Sequence, residues 1–358
     1  MADRCRRTIL LNIRVAVIGL GLVAEAHLNA FRLIKGATVV AVCDTRGEVA
    51  KKVASEWNAK AYTDFHRLLR EEQVDLVMVL TPASTHLEIA CASAEAGAHV
   101  FCEKPLAVTV EDAEEIIKVC DAAGMKLFYG SCYRFLPAVR SAYDLIRQGK
   151  IGEIQLMTEC GLGGQGLEGC TQMSFMHYPE GGPGGPAWGM MDHGVHLIDI
   201  FSWYADSELV EVSGQGNISG AQPTTECLTM RFANTAMGHL LYNAATYTTV
   251  LPNEGMFSGG QGYRDDGSVS DAGSWDATPV SISVYGTKGS LRIFYYANAL
   301  FLNDGDGPRQ IALSGRAPFG HFVTQLEVCL EAIANDLPAP IDGQAGKKAL
   351  ETMLGIYR

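Results

Sequence analysis

The stretch Arg14–Lys35, RVAVIGLGLVAEAHLNAFRLIK, limits what this chain can fold into more than any other. An apolar run is followed by Gly19-Leu-Gly-Leu-Val-Ala24, then by apolar residues of helical period at Ala26, Ala30, Phe31 and Ile34. That is strand, tight turn, helix. Such a turn brings backbone N–H groups and a helix N-terminus up to a pyrophosphate, which requires residues without bulk at the turn. Gly19 and Gly21 supply that, and Ala24 takes the small position where helix packs on strand. About twenty residues on, a second strand, Thr38–Cys43, ends in Asp44, where a carboxylate accepts hydrogen bonds from both adenosine ribose hydroxyls. Gly19, Gly21, Leu22, Val23 and Asp44 are therefore candidate dinucleotide-binding residues.

From Arg14 to about Lys126 strand and helix alternate with short connections, which predicts a mainly parallel sheet covered on both faces. Ser84 and Thr109 are placed to cap helices, and Gly97 and Gly124 to end them. All the strand ends then lie on one edge, so Asp44, Thr81, Pro82, Glu103 and Lys104 join the glycine turn in a single crevice, with His86 just behind Thr81. Past Ile151 the pattern changes to alternation, as in Glu153–Glu159, Leu209–Gly214, Cys227–Phe232 and Val280–Tyr285, which predicts a largely antiparallel sheet. The expected fold is an α/β Rossmann domain over residues 1–135 and an α+β domain with a large, mainly antiparallel open sheet over 136–358. One helix, Met190–Tyr204, interrupts the strands, and the last helix is free to pack back on the first domain. Glycine-rich loops at 161–189 and 251–279 are long enough to be functional; the first reads as a pocket wall, the second as that or an oligomer contact.

A length of 358 residues suits two domains, and a net charge of −12 argues against nucleic acid or an anionic membrane as partner. The ten cysteines include no C-x-x-C pair and fall mostly in apolar segments, so they read as small buried hydrophobes in a reducing compartment. No run approaches the ~20 apolar residues that span a bilayer. The Arg pair near the N-terminus precedes the first strand of the fold, not a cleavable export signal. A cytoplasmic protein is expected.

Two segments carry candidate chemistry. Lys104 ends a buried strand on the crevice edge. Beside an oxidised nicotinamide its charge is penalised, which suits a hydrogen-bond donor or a proton acceptor. Along Met191–Asp199, Asp192, His196 and Asp199 share one helix face, and a histidine held by a carboxylate is a competent base for a hydroxyl proton. Asp192 as a plain helix cap with His196 in the core, or His193 and His196 as metal ligands, are the competing readings; no further His or Cys clusters there, and no metal is expected.

These residues resemble the Gfo/Idh/MocA family, the glucose-fructose oxidoreductase and inositol dehydrogenase relatives. The resemblance rests on Gly19-Leu-Gly-Leu-Val-Ala24, the strand end at Asp44, Thr81-Pro-Ala-Ser-Thr-His86, Ala98-His-Val-Phe-Cys-Glu-Lys-Pro-Leu106, Tyr133-Arg-Phe135 and Asp192-His-Gly-Val-His-Leu-Ile-Asp199, in order. It implies that Lys104 binds and polarises the reacting hydroxyl, that His196 takes its proton, and that Asp192 positions substrate or histidine. Tyr133 and Arg134 would border the nicotinamide and substrate, with His177 and Trp188 as further substrate-side candidates. The implied activity is a nicotinamide-dependent dehydrogenase for a secondary alcohol of a sugar, glycoside or cyclic polyol, in a homo-oligomer (dimer or tetramer). Asp44 would repel a 2′-phosphate and so favours NAD over NADP, while Arg46 could stack on adenine or meet that phosphate. A redox-neutral, NAD-dependent glycosidase, with Tyr133, His177 or Tyr178 as an extra acid or base, is the alternative. A non-catalytic sensor of sugar or dinucleotide is a third reading.

Overall fold

The computed structural model describes residues 12–165, 190–217, 225–247, 281–295, 298–313 and 319–355. The first strand, β1 (Ile13–Ile18), is buried everywhere except Arg14, as a central strand covered on both faces must be. It lies between β2 (Ala37–Cys43) and β4 (Leu76–Val79) in a parallel sheet completed by β3 (Lys60–Tyr62), β5 (His99–Glu103) and β6 (Leu127–Gly130). The order is β3-β2-β1-β4-β5-β6, so the winding direction reverses between β1 and β4. That reversal opens a crevice at the carboxyl ends of those two strands, where the glycine turn sits. The crossovers are α1 (Leu22–Phe31), α2 (Gly47–Trp57), α3 (Phe65–Glu71), α4 (His86–Glu95) and α5 (Val110–Ala122).

Thr109 caps α5 as expected, its hydroxyl accepting from the Asp112 N–H at 3.1 Å. Ser84 does not cap α4. A short 3₁₀ turn at Ala83–Thr85 intervenes, and the Thr85 hydroxyl is spent on Thr81 Oγ1 (2.8 Å) and the Pro82 carbonyl (2.9 Å). Gly97 and Gly124 follow their helices at φ +83° and +69°, the left-handed region that favours glycine.

The second sheet runs β14-β13-β12-β11-β7-β10-β9-β8, with β7 (Ile154–Gln165), β8 (Leu209–Gly216), β9 (Thr225–Phe232), β10 (Met237–Tyr247), β11 (Ile282–Gly286), β12 (Ser290–Phe294), β13 (Ala299–Asp304) and β14 (Gly307–Ile311). Its neighbours are antiparallel except β7 with β10. The strands β10 and β12–β14 go beyond the alternating segments read from the sequence. Of the expected glycine-rich loops, 161–165 ends β7, while 166–189 and 251–279 lie outside the described residues. The expected interrupting helix divides into a wide π-type turn, Met190–Gly194, and α7 (Val195–Ala205). Gly194 is needed where they join, because a Cβ there would stand 2.7 Å from Met190 Sδ and 3.1 Å from the Tyr242 ring.

Four further helices complete the described chain. Besides α7 these are α6 (Pro137–Arg147), α8 (Gly320–Ala334) and α9 (Gly343–Leu354). Both C-terminal helices return to the parallel sheet: α8 packs on α1, and α9 on α5, β6 and α7. A Cβ on Gly346 would meet the Tyr129 ring at 2.8 Å, so the glycine seats α9 flat on β6. The segment leading into α9 also closes the edge of β6, the Ile341 carbonyl accepting from the Tyr129 N–H at 2.9 Å.

Candidate active site

The crevice floor is made by backbone. Gly19 has φ +91°, and a Cβ on it would stand 2.6 Å from the Leu80 carbonyl oxygen, so only glycine lets the β1 turn pass the end of β4. Gly21, the N-cap of α1, has open space where its Cβ would be and supplies no side-chain cap. The free helix N-terminus and the empty space beside it fit a pyrophosphate.

Asp44 stands at the end of β2, nearly buried, and both its oxygens are occupied from within the chain. Oδ2 accepts from the Leu20 N–H and from Arg46 Nη2, and Oδ1 from the N–H and Nε of Arg46, all at 2.9 Å. The Arg46 hydrogen bonds outweigh burial and hold the Asp44 carboxyl down from 3.8 to about 2. Because the folded value is depressed, the stability Asp44 contributes is complete above its unfolded value and is lost as pH falls through about 2. A carboxylate offers about four acceptor positions. A ribose diol bound at Asp44 would have to displace the Arg46 fork, whose side chain is 62% exposed. Titrating NADH and NADPH fluorescence against Arg46→Ala tests this. NADH should bind as well or a few-fold tighter, and NADPH about ten-fold weaker, since a charge-assisted contact to phosphate is lost.

Behind the crevice two buried histidines tie its walls together. His86, completely buried, has Nε2 2.8 Å from the Thr81 carbonyl and Nδ1 3.1 Å from that of Pro105. This ring joins the ends of β4 and β5 from behind, whereas Thr81 is half-buried and Pro82 exposed at the crevice. On α1, His27 Nε2 meets Glu103 Oε1 at 2.8 Å, and Glu103 Oε2 accepts the Lys104 N–H at 3.0 Å. Lys104 precedes a cis-proline, Pro105, and is half-buried.

Residues 131–135 leave the carboxyl end of β6 and meet α7. The Tyr133 ring lies parallel on the His196 imidazole, centroids 4.0 Å apart and planes 7° from parallel, both nearly buried. His193 meets the same tyrosine edge-on at 5.8 Å. Beyond it is a buried carboxylate from β7: Glu159 Oε1 lies 3.1 Å from His193 Nε2 and accepts the Tyr295 hydroxyl at 2.7 Å, and Oε2 accepts the Tyr242 hydroxyl. Burial first, then the Glu159 charge, push the Tyr242 phenol well above its usual range, so it stays a donor. A second buried carboxylate, Glu226, accepts the Met190 N–H at 3.1 Å, so both ends of the π-type turn are pinned.

Asp199 does not hold His196; it takes a two-pronged ion pair from Arg134 through Nε (2.7 Å) and Nη2, and the Ser131 hydroxyl at 2.6 Å. Arg134 is paired with Asp199, with Trp203 5.3 Å beneath its guanidinium, and so clamps the end of β6 to α7. Asp192 sits in the turn Met190–Gly194, but its side chain lies outside the described residues, as do His177, Tyr178 and Trp188. His27, Ser131, Glu159, Tyr242 and Tyr295 were not singled out from sequence, and His193 only as one of two possible metal ligands. Glu159 carried a signal: it follows buried Met157 by two, so the strand period puts it on the inner face. His27 carried another, sharing the helical stripe of Ala24, Leu28 and Phe31.

A family model described as oxidoreductase family, NAD-binding Rossmann fold, matches residues 13–131, and the GFO/IDH/MocA C-terminal domain matches residues 139–292. The chain belongs to the Gfo/Idh/MocA family. Among its relatives in that family, D-glucoside 3-dehydrogenase of Escherichia coli is 32% identical over 189 residues, 52% of either chain. Inositol 2-dehydrogenase 3 of Saccharopolyspora erythraea is 33% identical over 202 residues, 56% of either chain. The chain spans about half the length of these curated relatives. The solved structure of UDP-N-acetylglucosamine 3-dehydrogenase from Acidithiobacillus ferrooxidans has the same fold at a TM-score of 0.75, with 21% identity over 97% of both chains.

Proposed function

We propose that this Gfo/Idh/MocA chain is an NAD-dependent dehydrogenase for a secondary alcohol of a sugar, glycoside or cyclic polyol. The observation that carries the reading is the Tyr133–His196 stack, which joins the residue following the crevice edge to the face of α7. NAD, when bound, supplies the hydride acceptor. The glycine turn and the N-terminus of α1 bind its pyrophosphate, and Asp44 its adenosine ribose. Lys104 holds the oxygen of the alcohol as a carbonyl develops, and an imidazole nitrogen of His196 takes the hydroxyl proton while the Tyr133 ring fixes the plane in which it does so. Asp192, four residues before His196, orients substrate or histidine. Two relatives named for a glucoside and an inositol support this substrate class over glycoside cleavage.

The assembly is a homo-oligomer through the second sheet, where exposed Leu156 and Tyr285 stand opposite each other in the β7–β11 register. The location is cytoplasmic. Cys43, Cys102, Cys120 and Cys329 are buried free thiols, and burial pushes Cys43 up to about 11 and Cys120 to about 12, which suits inert cysteines in a reducing compartment. No helix among the described residues is long and apolar enough to cross a membrane.

The test is incubation of the protein with NAD and a panel of sugars, inositols and chromogenic glycosides, following NADH absorbance and aglycone release together. NADH should accumulate with one class of polyhydroxy substrate. Aglycone release without NADH would replace this reading with the redox-neutral one.

A further inference from the structure

We infer that Glu159 is a positioning residue: its buried carboxylate fixes two of the aromatic walls around Tyr133, and Tyr133 in turn fixes the ring plane of His196. The inference rests on the dehydrogenase reading for its meaning in catalysis, but on geometry for its content. Among the described residues the Tyr133 ring has three aromatic neighbours. His196 lies flat on it with centroids 4.0 Å apart, His193 stands edge-on at 5.8 Å, and Tyr295 is tilted by 41° at 6.0 Å. The last two are tied to one and the same oxygen, Glu159 Oε1, which lies 3.1 Å from His193 Nε2 and 2.7 Å from the Tyr295 hydroxyl. The other oxygen accepts the Tyr242 hydroxyl, and that tyrosine meets His193 edge-on at 5.6 Å.

Glu159 is 2% exposed on β7, and the residues level with it on the neighbouring strands, Leu240 of β10 and Ile282 of β11, are aliphatic and completely buried. Its partners therefore come from elsewhere: Tyr242 from further along β10, Tyr295 from just past β12, and His193 from the π-type turn. An unprotonated His193 Nε2 would set its lone pair against those of Glu159 Oε1, so the ring proton sits on Nε2, shared between that oxygen and the Tyr295 oxygen at 2.9 Å. A carboxylate accepts in only a few directions, and a buried network whose members satisfy one another holds a single arrangement. An aliphatic side chain would fill the same place on the inner face of the sheet without fixing any of these rings. The turn that carries His193 runs directly into α7. Glu159 thus sets the Tyr133 ring from the side of the second sheet, and α7 brings His196 to that ring's face.

The experiment incorporates ¹³C-labelled histidine into the full chain and records the ring C–H resonances of His196, identified by their disappearance in His196→Gln, at about pH 8, where an unperturbed imidazole is neutral. Stacked on Tyr133, they should lie upfield of their positions in Tyr133→Leu, which removes the ring current. Glu159→Gln, whose amide turns an N–H on one of the three donors, should lose about half or more of that displacement. Tyr295→Phe, which keeps the ring and removes only its hydroxyl, should lose a smaller share in the same direction. Resonances unmoved in both variants overturn the inference even if the melting temperature falls, since the carboxylate would then support the fold alone; so does the absence of any displacement in the unsubstituted chain. If Glu159→Gln loses its circular-dichroism signature of folding, Tyr295→Phe decides the matter. The measurement needs no substrate, so absence of turnover on every alcohol would overturn the dehydrogenase reading and leave this result intact. With a substrate in hand, Glu159→Gln should also lower kcat about ten- to a hundred-fold, the effect of a slightly misplaced reacting group, with the NADH dissociation constant unchanged.

Discussion

Replacing His196 by alanine should lower kcat/KM about a hundred- to ten-thousand-fold, the range that a positioned acid or base contributes, with the NADH dissociation constant nearly unchanged. The imidazole is 4% exposed and stacks on Tyr133 4.0 Å away, so neither its position nor its ring plane is left to chance. Binding should survive because the proposed pyrophosphate and ribose contacts are those of Gly19, Gly21 and Asp44, just past the ends of the first two strands. Steady-state rates at saturating NAD together with a fluorescence titration of NADH separate the two effects. A rate within ten-fold of the parent would move the proton acceptor elsewhere, and Lys104 would be the residue to test next.

Replacing Asp199 by alanine should destabilise the fold by about 3–5 kcal/mol, the cost of stranding a buried charge that has lost its partner. The partner is Arg134, 13% exposed in its side chain against 1% for Asp199, and Ser131 loses its acceptor at the same time. Urea unfolding gives the stability change directly. The substitution should also lower activity, because residues 131–134 carry Tyr133 and the clamp fixes how that ring meets His196. Asp199→Asn, which keeps acceptors for both donors, should do less damage on both counts. An unfolding midpoint that barely moves in Asp199→Ala would show that α9 and the core hold β6 against α7 without the ion pair.

The cofactor half of the molecule was legible because its signals are local. Strand, glycine turn, helix and Asp44 fall within a short window, and each follows from the backbone it requires. The second sheet was legible only where alternation is clean. β10, MGHLLYNAATY, runs apolar residues together as readily as a helix would, and β12–β14 are short strands read as nothing in particular. The candidate site divides in the same way. Helical period correctly put Asp199 and His196 on neighbouring positions of α7, but period cannot say which side chain arrives from elsewhere. Arg134, 65 residues earlier, supplies a planar fork that suits a carboxylate better than an imidazole does, and takes Asp199. Glu159 finds His193 across 34 residues, Tyr242 across 83 and Tyr295 across 136, pairings that only the assembled sheet creates. Ser84 failed as a cap for a smaller reason: the 3₁₀ turn moved the cap position to Thr85, whose hydroxyl found closer acceptors.

The return of α8 and α9 to the first sheet has a consequence for anyone recombining such proteins. The parallel sheet and the helices that cover it do not come from one contiguous segment. They draw on residues 12 to about 135 plus the stretch from Phe319 to Gly355, which covers α1 through Phe322 and shields the edge of β6 through Ile341. A chimera that grafts only the leading segment onto another substrate-binding half would strip its own sheet of a lid and expose a hydrogen-bonding edge. A graft that carries both segments keeps the unit whole, and makes the trailing helices as much a part of cofactor inheritance as the glycine turn.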